Sequence, residues 1–456
     1  MNNLQLFTVM MIQKKVILWS VIVAIGGFIF GFDTVVISGA EQAIQAYWKL
    51  GSLAHGLTTS IAIVGTVCGA FFGRIPADAL GRKKSLIIIA LIFLFSAVFS
   101  SFATNWYLFM VFRFIGGIGV GASSIIAPIY ISEISPAAER GRLVVLFQFN
   151  IVFGIVIALL SNLVIVRVLG PGHHDAWRYM LGVMAVPSLV FLFLLKFVPE
   201  SPRWLLLRSR YDEAKEIFRV NNPAGFEGEL DSIVKSNKED AEEPGGKELF
   251  SGRYKVPVRL AILIAFFNQV SGINAILYYA PRIFEMTGLG KNASLASSLG
   301  LGIVNFTFTM IAIRFIDSVG RRKLMFVGSF GLILTLGLVS FSFFTQNFSG
   351  YYIIIYLSLF IAFFSFSQGA VIWVFISEIF PNQVRAKGQT LGSFTHWFMA
   401  ALITFIFPYF TEKLGGGNTF LFFTMMMVFQ LLFVWKMMPE TKGKSLEDIE
   451  RTLVGH

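Results

Sequence analysis

The stretch FIFGFDTVVISGA (28–40) places one carboxylate, Asp33, near the end of more than 20 residues that are otherwise apolar or small. A charge at bilayer depth costs roughly 2.5–3.5 kcal/mol on insertion scales, so such a group must face a partner or a cavity. Two further patterns carry charge chemistry. D-x-x-G-R-[RK] occurs as DALGRKK (78–84) and DSVGRRK (317–323). Here Asp78 can pair with Arg82, and Asp317 with Arg321, across a tight turn that needs glycine. S-E-x-x-P-x-x-x-R occurs as SEISPAAER (132–140) and SEIFPNQVR (377–385). In it Glu133 and Arg140, and again Glu378 and Arg385, flank a helix end where they can bridge neighbouring spans.

The elements that must hold these groups are membrane helices. Of the 456 residues, 55% are hydrophobic and only 14% charged, against about 25% charged in a soluble domain. Many separate apolar stretches reach about 20 residues, the length that crosses a hydrocarbon core of about 30 Å as a helix. A membrane β-barrel would instead show short segments alternating apolar and polar residues. Twelve spans are expected, at roughly 16–40, 57–78, 84–103, 106–131, 142–167, 178–198, 256–285, 294–316, 323–345, 351–377, 387–411 and 417–438. The one long polar segment, 199–255, contains DEAKEIF and ELDSIVK, both compatible with short amphipathic helices.

The halves repeat. Besides the two charged motifs, PESPRWL (199–205), with Glu200 and Arg203, is echoed by PETKGKSL (439–446); the three motifs recur in one order at offsets of 239, 245 and 240 residues. A parallel repeat of six spans places a pseudo-two-fold axis along the membrane normal, and two such bundles can rock about a central site. The expected fold is therefore an all-α polytopic membrane protein of two pseudo-symmetric six-helix bundles, 1–198 and 256–438. They are joined by a cytoplasmic helical linker, 199–255, and followed by a tail, 439–456. The basic loops at 82–84, 140–142, 321–323 and 384–387 fall on the linker's side, which the positive-inside bias makes the cytoplasm, with both termini. They can simply fix topology. With acidic partners in both halves they can also act as cytoplasmic latches that break and reform as the bundles rock.

The net charge of +11 resides in these loops and not in a soluble basic domain, which excludes nucleic acid as the partner. The partners expected are a small substrate and the lipid bilayer, with a monomer sufficient for function. The single cysteine, Cys68, leaves no disulfide framework. His173 and His174 in GPGHHD lack the further ligands a metal site needs. No nucleophile–base pair, phosphate loop or metal spacing points to an enzyme. The N-terminus reads as no signal peptide.

At the level of motifs the chain resembles the sugar porter family of the major facilitator superfamily, in particular its xylose- and glucose-transporting bacterial members. The resemblance rests on FGFDTVVISG, RFIGGIGVG, PIYISEISPAAERGR, PESPRWL, QVSGINAILYYAPRIF, DSVGRRK, WVFISEIFP and PETKG in this order, and covers essentially the whole chain. It implies the major facilitator fold and proton-coupled uptake of a neutral monosaccharide by alternating access, with the proton as coupling ion and no cofactor. It also implies that Asp33 is the protonatable group and Arg113 its partner; a permanent structural ion pair is the alternative. The implied sugar site is Gln148, Gln269, Asn274, Asn305, Trp373 and Trp397, with Asn268 and His396 beside them. The resemblance further implies that Tyr278 and Tyr279 cover the outer side of the sugar, on a segment that bends at Gly272 to close a gate, and that Phe30, one turn before Asp33, packs on the sugar and transmits its presence to the carboxylate. Amides that both donate and accept suit several hydroxyls, and aromatic faces suit the apolar face of a pyranose.

The chain also departs from the family pattern. Asn268 stands in place of a glutamine, Ile155 in place of a second span-five glutamine, Ala370 in place of a proline and His396 in place of an amide. Ala400 replaces an asparagine and Ala79 a basic residue. His396 can respond to pH or simply donate a hydrogen bond. Two other functions share the cavity, passive facilitation of sugar and a non-transporting sensor. The sensor would need a longer tail than the roughly 18 residues after the last span.

Overall fold

Inside lipid every backbone N–H and C=O must be satisfied within the chain, and for segments of this length only the α-helix does so. The computed structural model describes residues 3–136, 139–221, 249–250, 252–348, 351–381, 383–444 and 446–454. Among them, eleven helices are long and apolar enough to cross a membrane. Spans one to six are Lys14–Trp48, Ser52–Phe72, Arg82–Phe102, Trp106–Ile134, Arg140–Leu169 and Ala176–Phe197. Spans seven to ten are Gly252–Tyr278, Lys291–Val319, Arg321–Thr345 and Tyr352–Glu378.

The eleventh helix, Arg385–Lys436, has 52 residues. At 1.5 Å per residue it runs about 78 Å, more than twice a hydrocarbon core. It breaks at Gly415, whose φ of 77° and ψ of 163° are not helical. The expected spans eleven and twelve are its two pieces, joined with so short a turn that the helix reads as continuous.

Two compact units make up the chain: residues 1–33, 65–154 and 182–246, and residues 34–64, 155–181 and 247–456. Spans one, two, five and six each contribute a segment to both. In the first unit glycines bring helices into backbone contact. A Cβ on Gly31 would lie 1.9 Å from the Ile151 carbonyl oxygen, and one on Gly154 would lie 2.1 Å from that of Phe28. Spans one and five therefore touch at the turn before Asp33, packing that only small residues allow.

Of the linker, DEAKEIF lies in the helix Tyr211–Asn221, while ELDSIVK lies outside the described residues. This helix buries Ala214 and Phe218 against Trp204, Leu205 and Leu206 of the helix Pro202–Leu207. The Trp204 indole N–H donates to the Asp78 carbonyl at 2.9 Å, fixing the linker to the first D-x-x-G-R turn.

Candidate functional site

Asp33 is held by the residue that the resemblance implies. Arg113 Nη1 donates to Asp33 Oδ1 at 2.5 Å and Nη2 reaches the Asp33 carbonyl oxygen at 3.4 Å, with both side chains at most 3% exposed. The pair joins spans one and four. In so dry a place removal of either partner leaves a costly lone charge, so the pair is stable only as long as both groups are ionised. Phe30 is buried on the same helix and Gln148 is half-buried on span five, next to Phe147, whose carbonyl packs against Gly27.

In the second unit, span seven is broken where the sequence predicts. Its first helix, Lys255–Val270, ends before Gly272, which takes the left-handed φ of 84°, and a short helix Ile273–Tyr278 follows. A Cβ there would also sit 2.6 Å from the Phe423 ring, so glycine is required twice over. Gly272→Ala is expected to cost about 1–3 kcal/mol of backbone strain. The cost would be read as a lower unfolding temperature in detergent; an unchanged temperature would show that the break tolerates a side chain.

The break turns the span's amides toward one another. Asn274 Nδ2 donates to Gln269 Oε1 at 2.7 Å, and Gln269 Nε2 donates to Asn268 Oδ1 at 2.9 Å and lies 3.3 Å from both ring nitrogens of His396. His396 in turn lies between two indoles, with ring centroids 4.8 Å from Trp373 and 4.8 Å from Trp397. This histidine is thus central to the cluster, bonded where the family has an amide. Trp373 is 39% exposed, offering a free face.

The other predicted polar groups are placed less directly. Asn268 is buried, and its amide donates to the Gln368 carbonyl at 3.3 Å, tying span seven to the break in span ten. That break falls at Ser367, three residues before Ala370, so span ten bends without the proline. Asn305 is half-buried and accepts from Thr309 and Ser365, each at 3.1 Å. Tyr278 is buried. Tyr279 stacks on Phe407, with centroids 5.1 Å apart, and donates to the Thr404 carbonyl at 3.1 Å.

The repeated charged motifs form two matching networks, one per unit. Arg82 forks onto Glu133 through two 3.0 Å bonds and pairs with Asp78 at 3.2 Å. Arg321 forks onto Glu378 at 2.8 and 3.2 Å and pairs with Asp317 at 2.9 Å. Ser201 and Thr441 donate to the same glutamates. Glu200 caps the first turn of span three through the Lys83 N–H at 2.9 Å, and Glu440 caps span nine through the N–H groups of Arg321 and Arg322. Carboxylates at helix N-termini are favoured there by the exposed N–H groups. The closing arginines reach back across the turn to backbone carbonyls around the end of the preceding span. Arg140 donates to the Ser132 carbonyl and Arg385 to that of Phe380, so each caps a helix end instead of pairing with the motif's glutamate. Arg203 is half-buried on the helix Pro202–Leu207.

Sequence reasoning missed one cluster. Glu41, at the far end of span one, is bonded to His55 and Arg282. The signal available was a second carboxylate eight residues past Asp33 in the same helix.

A buried ion pair among the membrane helices of one unit, and in the other a cluster of mutually bonded amides around a histidine set between two indoles, are the chemistry of a transporter of a small polar solute. The "Sugar (and other) transporter" family model matches residues 19–453. The chain is 38% identical over 440 residues to the arabinose-proton symporter of Bacillus subtilis (strain 168), covering 96% of this chain and 94% of the relative. It is 32% identical over 465 residues to the D-xylose-proton symporter of Escherichia coli (strain K12), covering 94% of each. It overlays the inward open conformation of the xylose transporter XylE from E. coli with a TM-score of 0.84 at 31% identity, over 95% of this chain and 99% of that one. The chain belongs to the sugar transporter family of the major facilitator superfamily and has its fold.

Proposed function

We propose that this protein is a proton-coupled importer of a neutral monosaccharide. The observation that carries the reading is the buried Asp33–Arg113 pair. A proton on Asp33 removes the charge that holds Arg113, so protonation and the packing of spans one and four are linked. Sugar and proton enter from one side, the structure closes behind them, and both leave on the other side. Gln269 and Asn274, with Gln148 and Asn305, serve the sugar hydroxyls; Trp373 and Trp397 pack on its apolar face; and Phe30 carries its presence to Asp33. His396 stands among the amides as a hydrogen-bond partner of Gln269 or of the sugar. Tyr278 and Tyr279 close over the site. The cargo is a pentose or a hexose; the relatives named for arabinose–proton and D-xylose–proton symport support a pentose.

The two halves, 1–198 and 256–438, act as the moving bundles. The networks around Glu133 and Glu378 are the cytoplasmic latches, on the side of the basic loops and both termini, in a bacterial inner membrane. One chain supplies every group of the site, so a monomer suffices.

The test is external pH in de-energised vesicles as a panel of neutral sugars is added. Alkalinisation with one sugar names the cargo and establishes symport. Sugar entry without alkalinisation would make the protein a facilitator.

A further inference from the structure

The strongest group of charged side chains outside the sugar and proton sites lies in the second unit, beyond Asp33. Arg282, on the helix Ala280–Glu285 that continues span seven, forks onto Glu41: Nε to Oε1 is 2.9 Å and Nη2 to Oε2 is 2.7 Å. The same Nη2 donates to Gln45 Oε1 at 2.6 Å. From span two, His55 Nε2 donates to Glu41 Oε2 at 2.6 Å. The side chains of Glu41 and His55 are 0% exposed, and Nδ1 of His55 has no hydrogen-bond partner.

Three separate elements therefore converge on one carboxylate. One of them, the start of span two, is fixed further by close contacts. A Cβ on Gly56, the residue after His55, would lie 2.0 Å from the Phe405 carbonyl oxygen of the long helix that contains span eleven. The His55 ring also meets Tyr279 edge-on at 5.8 Å, placing the cluster directly against the expected gate tyrosine. A bidentate guanidinium–carboxylate pair is geometrically demanding and is strongest when dry. Held away from water and split, it would leave two uncompensated charges; split with water entering, it would lose little. Such a contact is stable only while the gap stays shut and comes apart readily once the gap is wet, the behaviour of a clasp.

We infer that Glu41, Arg282, His55 and Gln45 form the outer clasp of the transporter. They hold the outer ends of spans one and two on the second piece of span seven, and they separate whenever the site opens to the outside. This inference rests on the alternating-access reading above and extends it to four residues. Glu41 anchors the clasp, Arg282 bridges it, and His55 orients the carboxylate through its Nε2–H.

The test reads the outer opening without sugar or a proton gradient, so its failure leaves the symport assay untouched. In a Cys68→Ser background, Ser38→Cys places a reporter one turn inside Glu41, at a position 1% exposed with the outer side shut. The membrane-impermeant reagent MTSET is added from outside, and the labelling rate is followed in cells. Glu41→Gln and Arg282→Gln are each expected to raise the rate at least tenfold, and the exchange pair Glu41→Arg with Arg282→Glu to bring it back toward the parent value. Unchanged labelling in both single variants overturns the clasp. So does faster labelling that the exchange pair fails to slow, because that would mark general loosening of the fold. Surface expression measured in parallel identifies a variant that is not folded, and His55→Gln, expected to give a smaller increase, then serves in its place; unchanged labelling there overturns the clasp too.

Discussion

Asp33→Asn is expected to abolish accumulation of sugar against its gradient while leaving exchange of labelled for unlabelled sugar within a few-fold of the parent. Asparagine imitates the protonated carboxyl in size and charge, so the variant is held as if it always carried the coupling proton. Arg113 loses the partner it holds at 2.5 Å, which is what protonation would do in each cycle under the proposed coupling. Loading and unloading sugar with the site permanently in this form lets the carrier equilibrate the cargo but gives a proton gradient nothing to act on. The effect is large because one proton moving through 100 mV supplies about 2.3 kcal/mol, enough for roughly fifty-fold accumulation. The measurement is the steady-state sugar ratio in energised vesicles, set beside counterflow in the same preparation. A ratio falling to one with counterflow retained supports the coupling role. Equal loss of both would make the Asp33–Arg113 pair a packing device, and the proton would have to be carried elsewhere.

The parts of this molecule that the sequence made legible are those with local causes. Apolar length gave the spans, because lipid leaves the backbone no alternative to the helix. The Asp78–Arg82 and Asp317–Arg321 pairs span four residues, and Gly81 and Gly320 between them adopt φ of 98° and 100°, so spacing alone predicts each turn. The break in span seven was visible in Gly272 for the same reason. Contacts between distant segments were not visible in this way. Arg113 and Asp33 lie 80 positions apart and were paired only through family resemblance. Arg282 and Glu41 lie 241 positions apart, and neither belongs to a repeated motif, so nothing local marked them as partners. The direction of Arg140 and Arg385 was also beyond reach. A basic residue after a helix end can turn to an acid or to the helix's own last carbonyls, and the choice depends on which is nearer once the helices have packed.

Gln269→Ala is expected to weaken sugar binding by about 1–3 kcal/mol, roughly five- to 150-fold in Kd, the cost of losing a buried amide and orphaning what it served. The size of the effect follows from the number of groups it joins. Its Oε1 accepts from Asn274, and its Nε2 donates toward Asn268 and reaches His396, so alanine leaves three polar side chains to find new partners. These bonds hold the amides in position; under the proposed role, sugar hydroxyls would exchange for some of them at little net cost, because an amide loses one partner as it gains another. Alanine destroys both sides of that exchange. His396→Gln separates the two contributions, since glutamine restores an amide beside Trp397 while leaving Gln269 intact. If the histidine only completes the hydrogen-bonded cluster, the variant should bind within a few-fold of the parent. A preference shifted between pentose and hexose would make His396 the residue that sets the cargo. Binding measured by quenching of Trp373 and Trp397 fluorescence reads all of these. Unchanged affinity in Gln269→Ala would remove the span-seven amides from the sugar site and require the cargo to bind elsewhere in the bundle.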